Sequence, residues 1–323
     1  MEAPWDTGGE LSGLVLSRAS VNRASNRRGD DEWMAAAWSD PGTRVLVLDG
    51  AQALVRFAAG RAELVFVPPT QAPEGLRFLL GTDDAGVAYF GLAGPEGGLG
   101  AGPLPPRGSA PPPAGPGVRP AGLRQAGPLL SDRDAGLLTH AVGLANWHAS
   151  HTHCPRCGTP TVPIAAGHAR KCPKDGSEHF PRVDPAVIML VTDDDDRCLL
   201  ARNKNWPPKR VSILAGFVEP GESVEQAVLR EVWEEAGLRV SGPRYLGSQP
   251  WPMPQSLMLG FRARAEGAQE IRVDGDEIAE ARWYSREELR DALAAGSVLP
   301  PSPVSIAHRI IETWYGTDLP GSW

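Results

Sequence analysis

The sequence offers little to cross-link and nothing long enough to bury in a bilayer. Its 323 residues include four cysteines, and three of them, Cys154, Cys157 and Cys172, stand at metal-like rather than disulfide-like spacing. That excludes a disulfide framework and makes a reducing compartment the expectation. No uninterrupted apolar run reaches the length needed to span a membrane. The opening Met1-Glu-Ala-Pro-Trp-Asp6 lacks the basic start and apolar core of a secretory signal, and the closing Pro-Gly-Ser-Trp323 lacks a Ser-Lys-Leu address. A cytoplasmic location is therefore expected. An excess of positive charge is missing too: the formal net charge is −7, so no global electrostatic drive toward nucleic acid exists. A chain of this length is expected to hold about two domains.

What is present is concentrated in Gly216-Phe-Val-Glu-Pro-Gly-Glu222 and, seven residues on, Arg230-Glu-Val-Trp-Glu-Glu-Ala-Gly-Leu238. The spacing predicts a helix capped by Ser223, with Gln226 completing a capping box and Gly237 ending it in a left-handed turn. Val224, Ala227, Val228 and Val232 form an apolar stripe. Glu231, Glu234 and Glu235 fall on one face. Hard oxygen donors without sulfur or imidazole suit Mg²⁺ or Mn²⁺. Arg230 is an internal ion-pair partner for Glu222.

This string resembles the Nudix box of the Nudix hydrolases. The resemblance implies metal-assisted hydrolysis of a nucleoside diphosphate derivative, with Glu231, Glu234 and Glu235 catalytic and, together with the Ala215 carbonyl and Glu277, metal-binding. Glu280 is the neighbour able to replace Glu277. Downstream, Ser248-Gln-Pro-Trp-Pro-Met-Pro-Gln-Ser256 is stiffened by its prolines and offers an aromatic surface and polar groups. It is similar to the S-Q-P-W-P-x-P-x-S array of NADH pyrophosphatases, with Met253 where Phe is commoner. The resemblance thus implies dinucleotide contacts from Gln249, Pro250, Trp251, Pro252, Met253, Pro254, Gln255 and Ser256, and also from Ala307, Phe180 and Phe217. In relatives the two Phe rings can come from different protomers, which implies a homodimer.

Upstream, Cys154 and Cys157 form a C-x2-C knuckle, and Cys172 with Asp175 stands where a second would be. Such spacing suits Zn²⁺. The resembling family has four cysteines here; Asp175 is one fourth ligand, His153, His168 and His179 are nitrogen donors nearby, and a ribbon that has lost its metal is the other reading. Cys198 reads as core filling, and Ala186-Val-Ile-Met-Leu-Val191 as a buried strand.

Earlier still, Val45-Leu-Val-Leu48, Leu64-Val-Phe-Val67 and residues 86–92 read as strands. Residues 94–120, crowded with Pro and Gly, read as a surface excursion. A helix capped by Ser131 runs to about His148, carrying Leu137, Leu138, Ala141, Leu144 and Ala145. The expected fold is α/β (α+β): a Nudix α/β/α sandwich with a preceding zinc ribbon and an N-terminal α/β domain. The expected boundaries are 1–125 for the N-terminal domain, 126–150 for a connecting helix, 151–183 for the ribbon and 184–323 for the Nudix domain. The implied reaction is cleavage of NADH or NAD⁺ to nicotinamide mononucleotide and AMP. Two alternatives accompany it: removal of NAD caps from RNA 5′ ends by the same site, and a zinc-ribbon regulator that binds nucleic acid or senses a nucleotide.

Overall fold

The computed structural model describes residues 11–94 and 117–321. Two compact units emerge: Arg18–Val183 with Trp251–Gln255, and Met1–Ser17 with Asp184–Pro250 and Ser256–Trp323.

In the first unit, helix α1 (Asp31–Ser39) starts where the Asp30 side chain accepts the Trp33 N–H at 2.9 Å. Strands β1 (Arg44–Asp49), β2 (Gln52–Ala58), β3 (Arg61–Leu64), β4 (Leu76–Thr82), β5 (Ala88–Ala93) and β6 (Val118–Gly122) form one sheet in the order β3-β2-β1-β5-β4, with β6 also on β2. The β1–β5 pair is parallel and the other pairs are antiparallel. Two expectations need correction here. The strand beginning near Leu64 ends there, and Val67 instead bridges Val45 singly. The expected excursion over 94–120 closes early, since Val118–Gly122 pairs with β2 despite its Pro and Gly; residues 95–116 lie outside the described residues.

After the short α2 (Leu123–Ala126) comes α3 (Asp132–Ser150), capped by the Ser131 hydroxyl as expected. Leu137, Leu138, Ala141, Leu144 and Ala145 are buried along it, as is Trp147. The helix packs on β1 and β4, so it is built into the N-terminal unit rather than connecting it to the ribbon. The ribbon is a small sheet of β7 (Val162–Ile164), β8 (Ala169–Lys171) and β9 (Glu178–His179).

In the second unit, β10 (Asp184–Thr192), β11 (Cys198–Asn203), β12 (Leu214–Phe217), β13 (Val240–Trp251), β14 (Ser256–Ala265) and β15 (Ile278–Tyr284) form a mixed sheet ordered β13-β14-β10-β11-β15, with β12 on β10. Helices α4 (Val224–Ala236), α5 (Arg286–Ala294) and α6 (Ile306–Tyr315) complete it. Strand β10 explains why its apolar run shows no polar alternation: it is covered on both faces. Val187, Met189 and Val191 pack with Ala227, Val228 and Val232 of α4, while Ile188 and Leu190 pack with Ile306 and Ile310 of α6. This is the expected α/β/α sandwich. Cys198 is fully buried in the α6-side core. Leu11 and Leu14 share that core, and the Leu11 N–H donates to Leu246 O at 3.2 Å. The first described residues, 11–17, therefore belong to this unit, not to the N-terminal one as expected.

Three histidines of the first unit, His140, His148 and His168, are held neutral by burial. His148 donates from Nε2 to Gly167 O at 2.8 Å and accepts from Arg170 at 2.9 Å, and burial pushes its pKa down to about 4. Burial likewise pushes His168 down to about 4, and His140 well below the ordinary value. A histidine neutral when folded but protonatable when unfolded contributes stability above the unfolded pKa and loses it as pH falls toward the folded one. The histidine contribution to the urea unfolding free energy should therefore be flat above pH 6.5 and drop between 6.5 and about 4. Each histidine adds a slope of up to about 1.4 kcal/mol per pH unit. Replacing His148 with Gln should make that drop shallower.

Candidate active site

The carboxylate face is built by β12, the loop after it and α4. Ser223 and Gln226 form the reciprocal capping box, and Gly237 closes the helix in the left-handed region at φ 67°, as expected. The expected separation of apolar and acidic faces needs correction: Glu231 and Glu235 share the buried face of α4 with Ala227, Val228 and Val232, and that face packs on β12. Gly216 makes that approach possible: a Cβ there would lie 1.9 Å from the Glu231 carboxyl carbon. This role of the glycine was not visible in the sequence.

Arg230 organises the acids. Its Nε and Nη2 grip both oxygens of Glu222 at 2.8 and 2.9 Å, the ion pair expected from the sequence. Its Nη1 donates to Glu231 at 2.8 Å and Glu234 at 2.9 Å, and its Nη2 to the Phe217 carbonyl at 2.9 Å. Glu235 receives none of this charge. It is 4% exposed, and its Oε2 has no hydrogen-bond partner. Burial, then the charges of Glu231 and Glu277, push its pKa up to about 8, while the Ala215 backbone opposes the rise. Burial also raises Glu231. Glu234 keeps its side chain 55% exposed.

An orphaned buried carboxylate oxygen beside a second buried carboxylate is the environment a hard divalent cation satisfies. The donor set is all oxygen and fits Mg²⁺ or Mn²⁺ better than zinc. Glu277 is exposed, yet its charge acts on both Glu231 and Glu235. Glu280 instead pairs with Arg202, which favours Glu277 of the two candidates. Two positioning groups were not foreseen. Asp274 accepts the N–H groups of Glu277 and Ile278 at 3.0 and 2.9 Å, and the Asn203 amide reaches Glu277 at 3.5 Å. The Asp-Gly-Asp-Glu turn was the available signal.

The proline-rich array divides between the two units: Ser248, Gln249 and Pro250 belong to one, Trp251–Gln255 to the other, and Ser256 begins β14. Gln249 departs from the ligand-binding expectation. It is fully buried, accepts the Leu16 N–H at 3.1 Å and donates to Val304 O at 2.9 Å, so its amide is spent inside the fold. Ala307 is also buried, in the first turn of α6, where its N–H donates to Ser305 Oγ at 3.2 Å. Trp251 and Met253 are half-buried, Pro252 is buried and Pro254 exposed. Prolines have no N–H, so this loop cannot build its own ladder. The buried Asn146 of α3 supplies the missing donors, giving its amide hydrogens to Pro252 O at 2.8 Å and Pro254 O at 3.1 Å. The Arg124 guanidinium lies 4.9 Å from the Trp251 ring centroid. Phe180 and Phe217 are 67% and 59% exposed, so neither is the core residue a lone Phe beside a strand usually is.

In the ribbon, four ligand atoms from Cys154, Cys157, Cys172 and Asp175 all lie within 4.8 Å of one another. Two matching turns bring them there. Gly158 N–H donates to Cys154 O and Gly176 N–H to Cys172 O, at 2.8 and 3.0 Å, with both glycines at positive φ. Asp175 thus occupies in the second turn the place of Cys157 in the first. The Cys157–Cys172 sulfurs are 3.5 Å apart, and Cys154 Sγ lies 3.5 Å from Asp175 Oδ2. Tetrahedral zinc with Zn–S of ~2.3 Å and Zn–O of ~2.0 Å requires separations of about 3.8 and 3.5 Å, so the set fits. Of the nearby histidines, His153 bonds Thr152 and His168 bonds Leu79 O, while His179 borders the set, bonding Ser177 and the Cys154 thiol.

These features match known families. Residues 182–300 match the NUDIX domain, 149–180 the NADH pyrophosphatase zinc ribbon domain, and 42–147 the NADH pyrophosphatase-like rudimentary NUDIX domain. The chain is 40% identical over 315 residues to a Mycobacterium bovis protein named NAD-capped RNA hydrolase NudC, covering 93% of this chain and 94% of that one. It is 42% identical over 198 residues to the Homo sapiens NAD-capped RNA hydrolase NUDT12, covering 57% of this chain and 42% of that protein. A solved NUDIX hydrolase from Nitrosomonas europaea aligns at 20% identity with a TM-score of 0.41, over 53% of this chain and 96% of its own.

Two outcomes test the site. Gly216→Ala should leave the circular dichroism spectrum unchanged and weaken Mn²⁺ binding, read by electron paramagnetic resonance, about 10–100-fold. Asn146→Leu should raise KM for a dinucleotide pyrophosphate several-fold with kcat nearly unchanged; equal losses in both would assign Asn146 to general stability.

Proposed function

The chain belongs to the Nudix hydrolase family, in the group that joins a Nudix domain to an NADH pyrophosphatase zinc ribbon and a rudimentary Nudix domain, and from that premise we propose that it hydrolyses the pyrophosphate of NADH and NAD⁺ to nicotinamide mononucleotide and AMP. The observation that carries the reading is the buried Glu235 carboxylate beside Glu231, with Oε2 unpartnered, which needs a divalent cation to be stable as an anion. Glu231, Glu235 and Glu277, with the Ala215 carbonyl, hold Mg²⁺ or Mn²⁺ in this proposal. The bound cation supplies neutralisation of the pyrophosphate oxygens and a water of lowered pKa. Arg230 keeps Glu231 and Glu234 in fixed rotamers, so the acids lose little freedom when the site loads. Glu234, exposed and held through one Arg230 N–H, takes the proton from the attacking water at its carboxylate. Glu222 takes no part in the chemistry and serves as the anchor of Arg230.

Dinucleotide selection falls to Trp251 and its neighbours, with Phe180 and Phe217 as stacking surfaces. Gln249 is left out of that set, because its side chain is committed elsewhere. The same chemistry extends to removal of NAD caps from RNA 5′ ends. A relative that shares nearly the whole length bears that activity in its name, and only the terminal dinucleotide need enter an acidic protein's pocket. The regulator alternative is disfavoured, since a sensor that does not cleave has no need to keep Glu231, Glu234 and Glu235 together. Zinc in the Cys154, Cys157, Cys172 and Asp175 set holds the ribbon's two turns together. A homodimer is proposed on the exposure of Phe180, Val183 and Phe217, and a cytoplasmic location on four free cysteines. No helix among the described residues is long and apolar enough to cross a membrane.

Incubation with NADH and Mg²⁺ should give AMP and reduced nicotinamide mononucleotide by mass spectrometry. Glu235→Gln should lower kcat at least about 100-fold, a loss on the scale of single catalytic groups, while raising the melting temperature of the cation-free protein by removing the buried acid. Near-normal turnover in that variant would refute the assignment.

A further inference from the structure

Four basic groups of the first unit gather around one stretch of β4. The chain after Arg18 is stitched to this strand by Asn22 N–H to Thr82 O at 2.9 Å and Thr82 N–H to Asn22 O at 2.8 Å. A Cβ on Gly81 would lie 2.2 Å from the Asn22 carbonyl oxygen, so the close approach depends on glycine. Asn22 Oδ1 then accepts the Ala24 N–H at 2.9 Å and turns the chain, with Ala24 at φ 46°. The turn delivers Arg23 and Arg28 beside two imidazoles anchored on the same strand. His168 donates from Nε2 to Leu79 O at 2.7 Å, and the His140 ring bonds the Leu80 backbone. The two rings are 5.3 Å apart between centroids.

The charges bearing on these imidazoles are all positive. Besides burial, which is the largest cause, Arg23, Arg28 and a neighbouring histidine each disfavour the protonated form of His140 and His168. No carboxylate pairs with either arginine among the described residues. The Arg28 Nε–H is buried without an acceptor, and its Nη2 reaches only the Arg23 carbonyl oxygen, at 3.5 Å. A guanidinium donor left unsatisfied beside a second guanidinium is an arrangement that costs stability unless an anion completes it. A metal cation is repelled there. A tetrahedral oxyanion is the better match than a planar carboxylate, because donors come from the turn, from α3 and from the residue just before β8.

We infer that Arg23, Arg28, His140 and His168 form a binding site for a phosphate-type oxyanion on the first unit. Arg28 presents Nε–H and an Nη–H as a fork, Arg23 supplies a second guanidinium, and the imidazoles gain a proton as the anion arrives. The chemistry is shared by a free phosphate ion and by the phosphodiester of an RNA. The site stands independently of the catalytic reading, since none of its residues belongs to the acidic cluster.

The test uses the full, zinc-bound chain labelled with ¹³C-histidine, in Mg²⁺-free buffer with inorganic phosphate as the probe. His140 and His168 resonances should move saturably and titrate at higher pH with phosphate present, while His308 of the other unit stays fixed. Arg28→Gln should weaken the response about tenfold, and the Arg23→Gln/Arg28→Gln pair should abolish it. In phosphate-free buffer that pair should melt no lower than the wild type, which separates lost binding from misfolding. Resonances that do not respond, or respond equally in the double variant, overturn the site. A second arm compares kcat/KM of the double variant on NADH and on NAD-capped RNA. A loss confined to the RNA assigns the anion to its backbone; unchanged values on both, with phosphate binding lost, assign the site to a free phosphate ion.

Discussion

Two glutamates buried on one face of α4, with one arginine between four acids, set the terms for the rest of the second unit. Arg230 can neutralise only part of what surrounds it: Glu222, Glu231 and Glu234 share its guanidinium, and Glu235 is left with an unpartnered oxygen. The surrounding sheet holds this strain in place. Strand β10, sandwiched between the α4 and α6 cores, fixes β12 beside it by four residue pairs, Ala186–Phe217 to Met189–Leu214. Gly216 then lets the Glu231 carboxyl sit against the strand where any side chain would expel it. The acids are thus preorganised for a cation rather than collapsing onto their own backbone.

The first unit shows the same logic in a different chemistry. The ribbon's ligands are set by two backbone turns whose positive-φ glycines, Gly158 and Gly176, repeat one another. An aspartate in the second turn therefore inherits a cysteine's position, and a shorter oxygen bond fits the 3.5 Å spacing to Cys154. Elsewhere in that unit, Asn146 uses its amide to hold a loop whose prolines cannot hold themselves. There a polar side chain is present because the backbone nearby lacks a partner.

Much was legible in the sequence because it is local. The capping box at Ser223 and Gln226, the left-handed Gly237, the apolar stripe on α4 and the Arg230–Glu222 pair all depend on contacts within a few helical turns. The unalternating run of β10 announced a strand covered on both faces. Misreadings arose where local composition conflicted with long-range pairing. Val118–Gly122 contains proline and glycine yet forms an edge partner of β2, and proline is tolerated there because an edge strand need not donate on both sides.

By itself, the sequence determined the carboxylate helix, the stiff proline array, the paired metal knuckles and the family they belong to, since each is written in spacing over a few residues. Only the tertiary structure decided which polar groups remain free. Gln249 looked like a ligand donor until Leu16 and Val304, more than fifty residues away in either direction, were found to occupy it. Glu280 stood as a replacement for Glu277 until Arg202 was found to pair with it. Asp175 competed with three histidines until the fold gathered its carboxylate with the three thiols and gave His153 and His168 other partners. Free valence is a property of three-dimensional neighbours, and a chain read in one dimension cannot count them.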